Sequence, residues 1–195
     1  MLPPTCDTAF KEWSVICHAL AIGQQTIILR KGGIQEGQSG FRVAHRHFWL
    51  FPTYLHQEED REKLVPEAWP SLQSTARNRP ADDRIPMNLL AEVTDVIELQ
   101  DEKPLPQLAG WHWWSARTVS ERFHYRQPGL FLLVARIYKT PAKVEIPNSP
   151  HFAGCRSWVE LPQPISTASL TPVIPESDFQ AHRTRILASI GAFQV

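Results

Sequence analysis

Apolar residues recur at helical spacing near both ends of the chain. Asp7 and Thr8 stand before the first of these segments, where either can cap a helix, and Gly23 is placed to end it. Ser177 can cap the last segment and Gly191 can stop it. The pattern predicts one helix near each end, with apolar positions Phe10, Trp13, Ile16, Cys17 and Leu20 in the first and Phe179, Ile186, Leu187 and Ile190 in the last.

Between these segments, several runs are rich in the β-branched and aromatic residues that favour strands. Ser115 is placed to cap a further helix that runs to about Tyr125. By contrast, Pro66–Pro86 is polar and interrupted by prolines, which predicts a long surface loop. The predicted strands are Thr26–Arg30, Phe41–Phe51, Leu89–Leu99, Leu130–Tyr138, which is apolar enough to be central, and Trp158–Leu161.

Helices at both ends with strands between them predict an α+β fold, built on a small mixed sheet or a partly closed barrel. A chain of 195 residues is of ordinary size for one domain, so we expect residues 1–195 to form a single domain. Its 43% hydrophobic and 21% charged residues are typical of a globular protein. The 17 prolines outnumber the 9 glycines, which favours stiffened loops and argues against a helical bundle.

The cysteines and the hydropathy of the chain bear on its location. Cys6, Cys17 and Cys155 are widely spaced and odd in number, which is typical of reduced thiols in the cytoplasm. The segment Met1–Phe10 is too polar for a signal peptide. The longest strongly apolar run, Leu130–Ala135, is far shorter than the roughly 20 residues of a membrane helix. We therefore predict a soluble cytoplasmic protein with no membrane partner.

Basic and acidic residues balance at 20 each, yet the basic ones concentrate in two segments. If both segments lie on one side of the sheet, they form a positive face that the net charge conceals. The alternative is an ordinary solvated surface. The basic residues are Arg30, Lys31, Arg42 and Arg46 in the first segment and Arg117, Arg122, Arg126, Arg136, Lys139 and Lys143 in the second.

Three histidines fall close together in the sequence. His45 and His47 share one face if the strand is continuous, and His56 follows soon after. Three imidazoles can bind a metal, but no acid or cysteine stands nearby at ligand spacing, and the neighbouring arginines would repel a cation. We favour contacts with phosphates or bases, or a structural role, and predict neither a metal nor a cofactor.

Common catalytic motifs are absent from the sequence, including the Walker, GxGxxG, GxSxG and HExxH patterns. Asp101-Glu102-Lys103 matches the carboxylate-x-lysine pattern of many metal-dependent nucleases, with Asp95 upstream as a partner acid. Such a triplet is common by chance, so it is a minor candidate.

A cluster of three tryptophans precedes the helix that Ser115 is predicted to cap. Trp111, Trp113 and Trp114 cannot all point into one core, so we expect at least one to reach the surface. With Arg117 close behind, this segment can stack a base and hold phosphates. The equally weighted alternative is a structural loop whose tryptophans cover the hydrophobic core.

Several longer motifs resemble one bacterial family. These motifs are Lys11-Glu12-Trp13, Leu29-Arg30-Lys31-Gly32-Gly33-Ile34, Phe48-Trp49-Leu50-Phe51-Pro52-Thr53-Tyr54 with His56-Gln57, Pro128-Gly129-Leu130, Ala135-Arg136-Ile137-Tyr138 and Gly154-Cys155-Arg156-Ser157-Trp158-Val159-Glu160-Leu161. The family is an uncharacterised domain of unknown function, number eighteen-oh-two, and the resemblance spans roughly Lys11 to Leu187. It implies no established activity. Some members are fused to a restriction-endonuclease-like domain, which implies a role in restriction or DNA defence and, for this chain, a separate partner of restriction-endonuclease type.

A shorter resemblance concerns the fold alone. The segment from Ala21 to Arg30 is similar to the helix–glycine–strand–arginine opening of small-barrel domains related to pseudouridine-synthase RNA-binding modules. Such modules often bind RNA or modified bases, and the resemblance implies a related barrel.

Together these patterns favour a nucleic-acid-binding accessory module, whose partner is DNA or RNA. One wall of its site is predicted to hold Arg30, Lys31, His45, His56 and Gln57, and the other Trp113, Arg117 and Arg156. One alternative is a hydrolase or nuclease that uses His45 or His56 as a general base. Another is a non-catalytic protein-interaction domain. We expect replacement of Arg30 or Arg117 to weaken nucleic-acid binding and to leave thermal stability nearly unchanged.

Overall fold

The computed structural model describes residues 1–31, 45–54, 57, 59–154 and 156–192. The helices and strands follow one another as β1 (Thr5–Trp13), α1 (Ser14–Ala21), β2 (Ile27–Arg30), β3 (His47–Thr53), α2 (Trp69–Arg77), β4 (Arg84–Pro86), β5 (Leu89–Leu99), α3 (Ala116–His124), β6 (Leu130–Lys139), β7 (Glu145–Pro147), β8 (Trp158–Ser166), β9 (Thr171–Pro172) and α4 (Glu176–Ser189). Short 3-10 turns lie at Arg61–Lys63, Pro66–Ala68, Leu105–Leu108 and Pro150–Phe152. The α+β fold with helices near both ends is as the sequence predicted.

Within the described ranges, seven strands form one mixed sheet in the order β2-β6-β5-β3-β1-β8, with β9 paired to β6. Neighbouring strands run antiparallel except for β1 and β3, which are parallel. Consequently the carboxyl ends of β1 and β3 lie side by side. β4 and β7 form a separate two-stranded sheet.

In β1 and β3, successive side chains point to opposite faces of the sheet and pack into two different hydrophobic clusters. Phe10, Leu50 and Ala91 belong to the larger cluster, which includes apolar residues of all four helices. Ala9 and Trp49, which lie one position away from Phe10 and Leu50, belong to the smaller cluster. The smaller cluster also includes Ile85 of β4 and Phe152, so the β4–β7 sheet covers that face.

The sheet curls without closing. Arg30, at the end of β2, donates a hydrogen bond from Nη2 to the carbonyl of Lys11 on β1, at 2.9 Å. A side chain from one edge strand thus reaches a strand near the opposite edge. Among the described strands, β2 pairs with neither β1 nor β8. The structure is therefore an open mixed sheet, the first of the two predicted forms, and is not closed into a barrel.

Several predicted elements are present as expected. β2, β5 and β6 occupy the segments predicted for them, and β6 lies between two partners in the sheet. Ser115 caps α3, since its hydroxyl accepts a hydrogen bond from the backbone N–H of Thr118 at 3.3 Å. Between α1 and β2, Gly23 has φ of 73°, the left-handed conformation that suits glycine after a helix.

Other predictions were wrong. The first helix begins at Ser14, because Thr5–Trp13 is a strand that pairs with β3 and β8. The predicted loop Pro66–Pro86 contains α2, whose Pro70 lies in the first turn, where a proline is tolerated. The last helix begins at Glu176, one residue before Ser177. Residues 41–44 of the predicted strand Phe41–Phe51 lie outside the described part of the chain.

No helix among the described residues is both long and apolar enough to cross a membrane.

Candidate functional site

A cavity of about 850 Å³ opens where β1 and β3 end. Lys11, Glu12 and Trp13 at the end of β1 form one part of its wall, beside residues 51–54 at the end of β3 and just after it. The opposite part comes from β4 and from residues 148–150, 152–154 and 156–157 that precede β8. The parallel pairing of β1 with β3 brings these segments together, because it places both strand ends at one edge.

Positive charge predominates in this cavity. Five basic side chains line it, against the two acids Glu12 and Asp82; they are Lys11, Arg30, Arg79, Arg84 and Arg156. Arg79 lies 2.5 Å from Asp82, in an exposed pair that solvent screens. Arg156 is exposed, and its Nη2 donates to the carbonyl of His151 at 2.8 Å, which leaves most of its guanidinium donors available. We call this space the basic cavity.

Aromatic rings lie beside these cations. The guanidinium of Arg79 lies 5.5 Å from the ring centroid of Tyr54. Phe51 and Phe152 meet edge to face, with centroids 5.4 Å apart, and the Nζ of Lys11 lies 5.7 Å from the ring of Phe51. Lys11 also donates to the carbonyls of Phe152 and Gly154, at 2.5 and 2.9 Å, so it ties β1 to the segment before β8. The wall therefore alternates cationic groups with flat apolar surfaces.

A buried carboxylate lies at the base of the basic cavity. Glu12 is only 2% exposed, and its Oε1 accepts a hydrogen bond from the backbone N–H of Trp13 at 2.8 Å. Its Oε2 has no hydrogen-bond partner among the described residues and lies 3.5 Å from the Nη1 of Arg30. The guanidinium of Arg30 also stacks on Phe10, 4.6 Å from the ring centroid. In a charge pair removed from water in this way, loss of either partner leaves the other charge buried and uncompensated, which destabilises the fold.

A second arginine lies close to this pair. Arg122 of α3 stacks on the ring of Trp114, with 3.6 Å from its guanidinium carbon to the ring centroid. Burial lowers the pKa of Arg122 to about 10, although the negative charge of Glu12 opposes the shift. Glu12 therefore carries the charge that balances two partly desolvated arginines.

Two of the predicted site residues meet in the basic cavity. Arg30 and Arg156 both line it, although they come from opposite ends of the sheet and were predicted on opposite walls. Trp113 does not line it: its backbone N–H donates to Gln25, and its ring lies 6.2 Å from that of His18. His56 lies outside the described residues.

Two other predicted residues have their polar groups occupied by the protein itself. The Nζ of Lys31 donates to the carbonyls of Phe123 and Gly129, at 3.1 and 2.8 Å, and to that of Gln127. Gln57 is 3% exposed and bonds to the hydroxyl of Ser14 at 3.1 Å. Both side chains hold neighbouring segments in place.

The remaining two are exposed but lie elsewhere. His45 packs edge to face against Trp158, with centroids 5.2 Å apart. Arg117 lies on α3, where it pairs with Glu121 at 2.7 Å, one helical turn away. Neither contributes to the wall of the basic cavity.

The prediction of one positive face was wrong. Arg30 pairs with Phe131 across β2 and β6, so these two residues share a face of the sheet. Arg136 lies five positions further along β6, an odd number, and therefore points to the other face. There it pairs with Glu176 of α4, whereas Arg30 pairs with Glu12. The positive charge at the site comes from the loops around one cavity.

Several residues of the basic cavity were missed, among them Lys11, Glu12, Arg79 and Arg84. The segment with Lys11 and Glu12 was predicted to be helical, and Arg79 and Arg84 were placed in a featureless loop. One signal could have identified Glu12. In the alternating strand Thr5–Trp13 it stands at the position two after Phe10, on the buried face, where a carboxylate needs a specific reason.

A protein-family model described as a domain of unknown function (DUF1802) matches residues 9–185. The chain belongs to this family. The fold is similar to crystal structures of ASCH from Zymomonas mobilis. With one mutant of that protein the identity is 10% and the TM-score 0.42, over 94% of this chain and 98% of that chain. With the ASCH protein itself the values are 10% and 0.40, over 91% and 93%. No curated protein matches the sequence.

The carboxylates of the nuclease-like pattern form ion pairs within the protein instead of meeting in a cavity. Asp95 receives two hydrogen bonds from Arg183, at 2.5 and 2.6 Å, so it anchors α4 to β5. Asp101 and Lys103 pair with each other in an exposed bend after β5. Within the described ranges, no histidine lines the basic cavity, and no group of three or more histidine, cysteine or acidic side chains could hold a metal.

Proposed function

We propose that this protein binds single-stranded nucleic acid in the basic cavity. The observation that carries the proposal is the alternation of cations with aromatic rings around one concave space of about 850 Å³. Guanidinium groups match the geometry of phosphate oxygens, and aromatic rings stack with unpaired bases of any sequence. A base within a duplex is stacked and cannot enter a cavity, so a single strand is the better ligand.

Three arginines are the best candidates for phosphate contacts, namely Arg79, Arg84 and Arg156. All are exposed, and each pairs with one group, Arg79 with Asp82, Arg84 with Asp83 and Arg156 with the carbonyl of His151, so further guanidinium donors remain for a phosphate. Tyr54 lies beside Arg79, and Phe152 contributes a ring from the opposite part of the lining. Arg30 contributes positive charge from below, since Lys11, Glu12 and Phe10 already hold its guanidinium.

The test is the binding of labelled single-stranded DNA and RNA of mixed sequence, measured by fluorescence anisotropy over a range of salt concentrations. Affinity should fall as salt rises, because each neutralised phosphate releases counterions. Arg84→Ala and Arg156→Ala should each weaken binding and reduce the slope of log affinity against log salt by about 0.7. The matched control is Arg117→Ala, an exposed arginine outside the cavity, which should change neither quantity.

Three results would contradict the proposal. One is an absence of binding to single-stranded DNA and RNA at low salt. Another is an equal loss of affinity in Arg117→Ala and Arg156→Ala, which would point to diffuse surface charge. The third is tighter binding to duplexes than to single strands, which would place the binding site outside the cavity.

The finer predictions from the sequence remain proposals. These are a single domain over residues 1–195, a role in restriction or DNA defence, and a separate partner of restriction-endonuclease type. A nuclease with a histidine base is less well supported, since no described histidine lines the cavity.

A further inference from the structure

A second cavity of about 330 Å³ adjoins the basic cavity. Pro52, Tyr54 and Pro86 line both spaces, so these three residues form the wall that the two cavities share. The second cavity is bounded by α1, by α2 and by the segment where β4 leads into β5. Its volume is at the lower end of the roughly 300–1,000 Å³ that small-molecule sites occupy.

The lining of the second cavity contrasts with that of the first. Among its described lining residues there is no aspartate, glutamate, lysine or arginine. Hydroxyl and amide groups from Ser74, Thr75 and Asn78 lie along the α2 side, and Leu50 and Leu89 are apolar. The hydroxyl of Thr75 and the amide of Asn78 already donate to backbone carbonyls of α2, at 3.0 and 2.9 Å, so this wall offers mainly acceptor oxygens and flat contacts without charge. We call this space the neutral cavity.

Its titratable side chains are also uncharged near neutral pH. Burial lowers the pKa of His18, which favours the neutral imidazole. Burial, and then the nearby charge of Glu12, raises the pKa of the Cys17 thiol well above its usual range. Burial likewise raises the pKa of Tyr54. A phosphate would find no counter-charge here, whereas a neutral ring with polar edges would find partners.

Tyr54 lies in the wall shared by the two cavities, and its ring already contacts Arg79. The guanidinium of Arg79 lies over its ring from the side of the basic cavity. The same ring also lines the neutral cavity. A ligand that extends past Tyr54 therefore has a cation at one end and an aromatic surface with amides and hydroxyls at the other.

We propose that the neutral cavity takes a nucleobase whose phosphate is held in the basic cavity. The proposal rests on the proposed function for the cationic end and adds the place of the base. The shared chemistry is that of a nucleoside phosphate, which an unpaired nucleotide of a strand or a free mononucleotide can supply. The arms of the test separate these two sources.

The test fills the neutral cavity without changing charge. Ser74→Tyr places a ring in it from the surface of α2, and Gln73→Tyr places the same ring on the preceding residue, which is exposed and does not line the cavity. Circular dichroism should show that both variants fold. Ser74→Tyr should lower affinity for a single-stranded oligonucleotide at least tenfold, while Gln73→Tyr should leave it unchanged. Inorganic triphosphate, which has no base, should bind equally to both.

The outcomes separate the two proposals. If the oligonucleotide binds the wild type and both tyrosine variants equally, the strand-binding function stands and the base site is wrong. If no strand binds but the four ribonucleoside monophosphates do, and Ser74→Tyr alone abolishes that binding, the base site stands for free nucleotides and strand binding is wrong. If triphosphate binding falls together with oligonucleotide binding in Ser74→Tyr, the ring blocks the phosphate site and the base site is refuted.

Discussion

Arg30 and Glu12 form an ion pair across the gap that the curled sheet leaves open, with 3.5 Å between Nη1 and Oε2. The glutamate side chain is 1% exposed and that of the arginine 20%. The pair therefore links the two ends of the sheet at the base of the basic cavity, where no backbone pairing among the described strands does so.

The first prediction concerns this pair. Arg30→Met should lower the free energy of unfolding by about 2–3 kcal/mol, because it removes the guanidinium that pairs with the buried carboxylate of Glu12. Arg30→Met combined with Glu12→Gln should recover part of that loss, since no carboxylate is then buried without Arg30. The recovery is incomplete because Arg122 loses the charge of Glu12. Urea denaturation of the four proteins in this cycle measures the coupling.

The exposed pair of Arg117 and Glu121 is the control, and its cycle should show little coupling. Additive losses in the Arg30–Glu12 cycle would contradict the prediction. The expected loss also replaces the sequence-based expectation that removal of Arg30 leaves thermal stability nearly unchanged, because Lys11, Glu12 and Phe10 all contact its guanidinium.

The second prediction concerns Lys31 and the turn that connects α3 to β6. Lys31→Met removes hydrogen bonds to three backbone carbonyls, those of Phe123, Gln127 and Gly129. We expect a loss of about 1–2 kcal/mol in the free energy of unfolding, since part of the turn can bond to water instead. Amide hydrogen exchange at Gln127 and Gly129 should become faster.

A matched control is Lys139→Met, at an exposed lysine that ends β6. It should leave exchange in the turn unchanged. Equal exchange rates at Gln127 in the wild type and in Lys31→Met would show that the turn does not depend on the lysine.

The third prediction concerns Tyr138 and high pH. The hydroxyl of Tyr138 donates to Oε2 of Glu92 at 2.9 Å, and burial together with this bond raises the pKa of Tyr138 from 10.0 to about 12. The unfolded chain releases the proton first, so stability should fall as pH rises from 10.0 to about 12. Urea midpoints across this window measure the slope.

Tyr138→Phe should flatten that slope, because it removes the group that titrates differently in the two states. Tyr125→Phe, at a tyrosine that is 51% exposed, should leave the slope as it is in the wild type. If Tyr138→Phe keeps the full slope, another group is responsible for the loss of stability at high pH.

The sequence predicted correctly those elements that depend on residues close together in the chain, such as an apolar run or a capping hydroxyl. The apolar run at Leu130 and the hydroxyl of Ser115 acted as expected, giving β6 and the cap of α3. The segment before Trp13 did not, because its apolar residues fit helical spacing as well as strand alternation. Its pairing with β3 and β8 is between distant segments, and no local pattern records it.

The site depends on that distant pairing and was therefore predicted only in part. Arg30 and Arg156 were identified as basic residues beside strands, and both line the cavity. Lys31 and Gln57 looked equally available in the sequence, but other parts of the chain occupy their polar groups. Whether a cation is free for a ligand depends on which carbonyls and carboxylates surround it, and those come from distant segments.

The position of β1 in the sheet also affects how the molecule acquires its structure. Ala9 lies opposite Trp49 on one side and Val159 on the other. Contacts between residues so far apart in the chain form slowly, because a large loop must close before they contribute any stability. During synthesis, β1 leaves the ribosome long before β8 and must remain with one side unpaired until residues 158–166 emerge. The strand that supplies Lys11 and Glu12 is thus translated before the other described strands and completes its hydrogen bonds among the last.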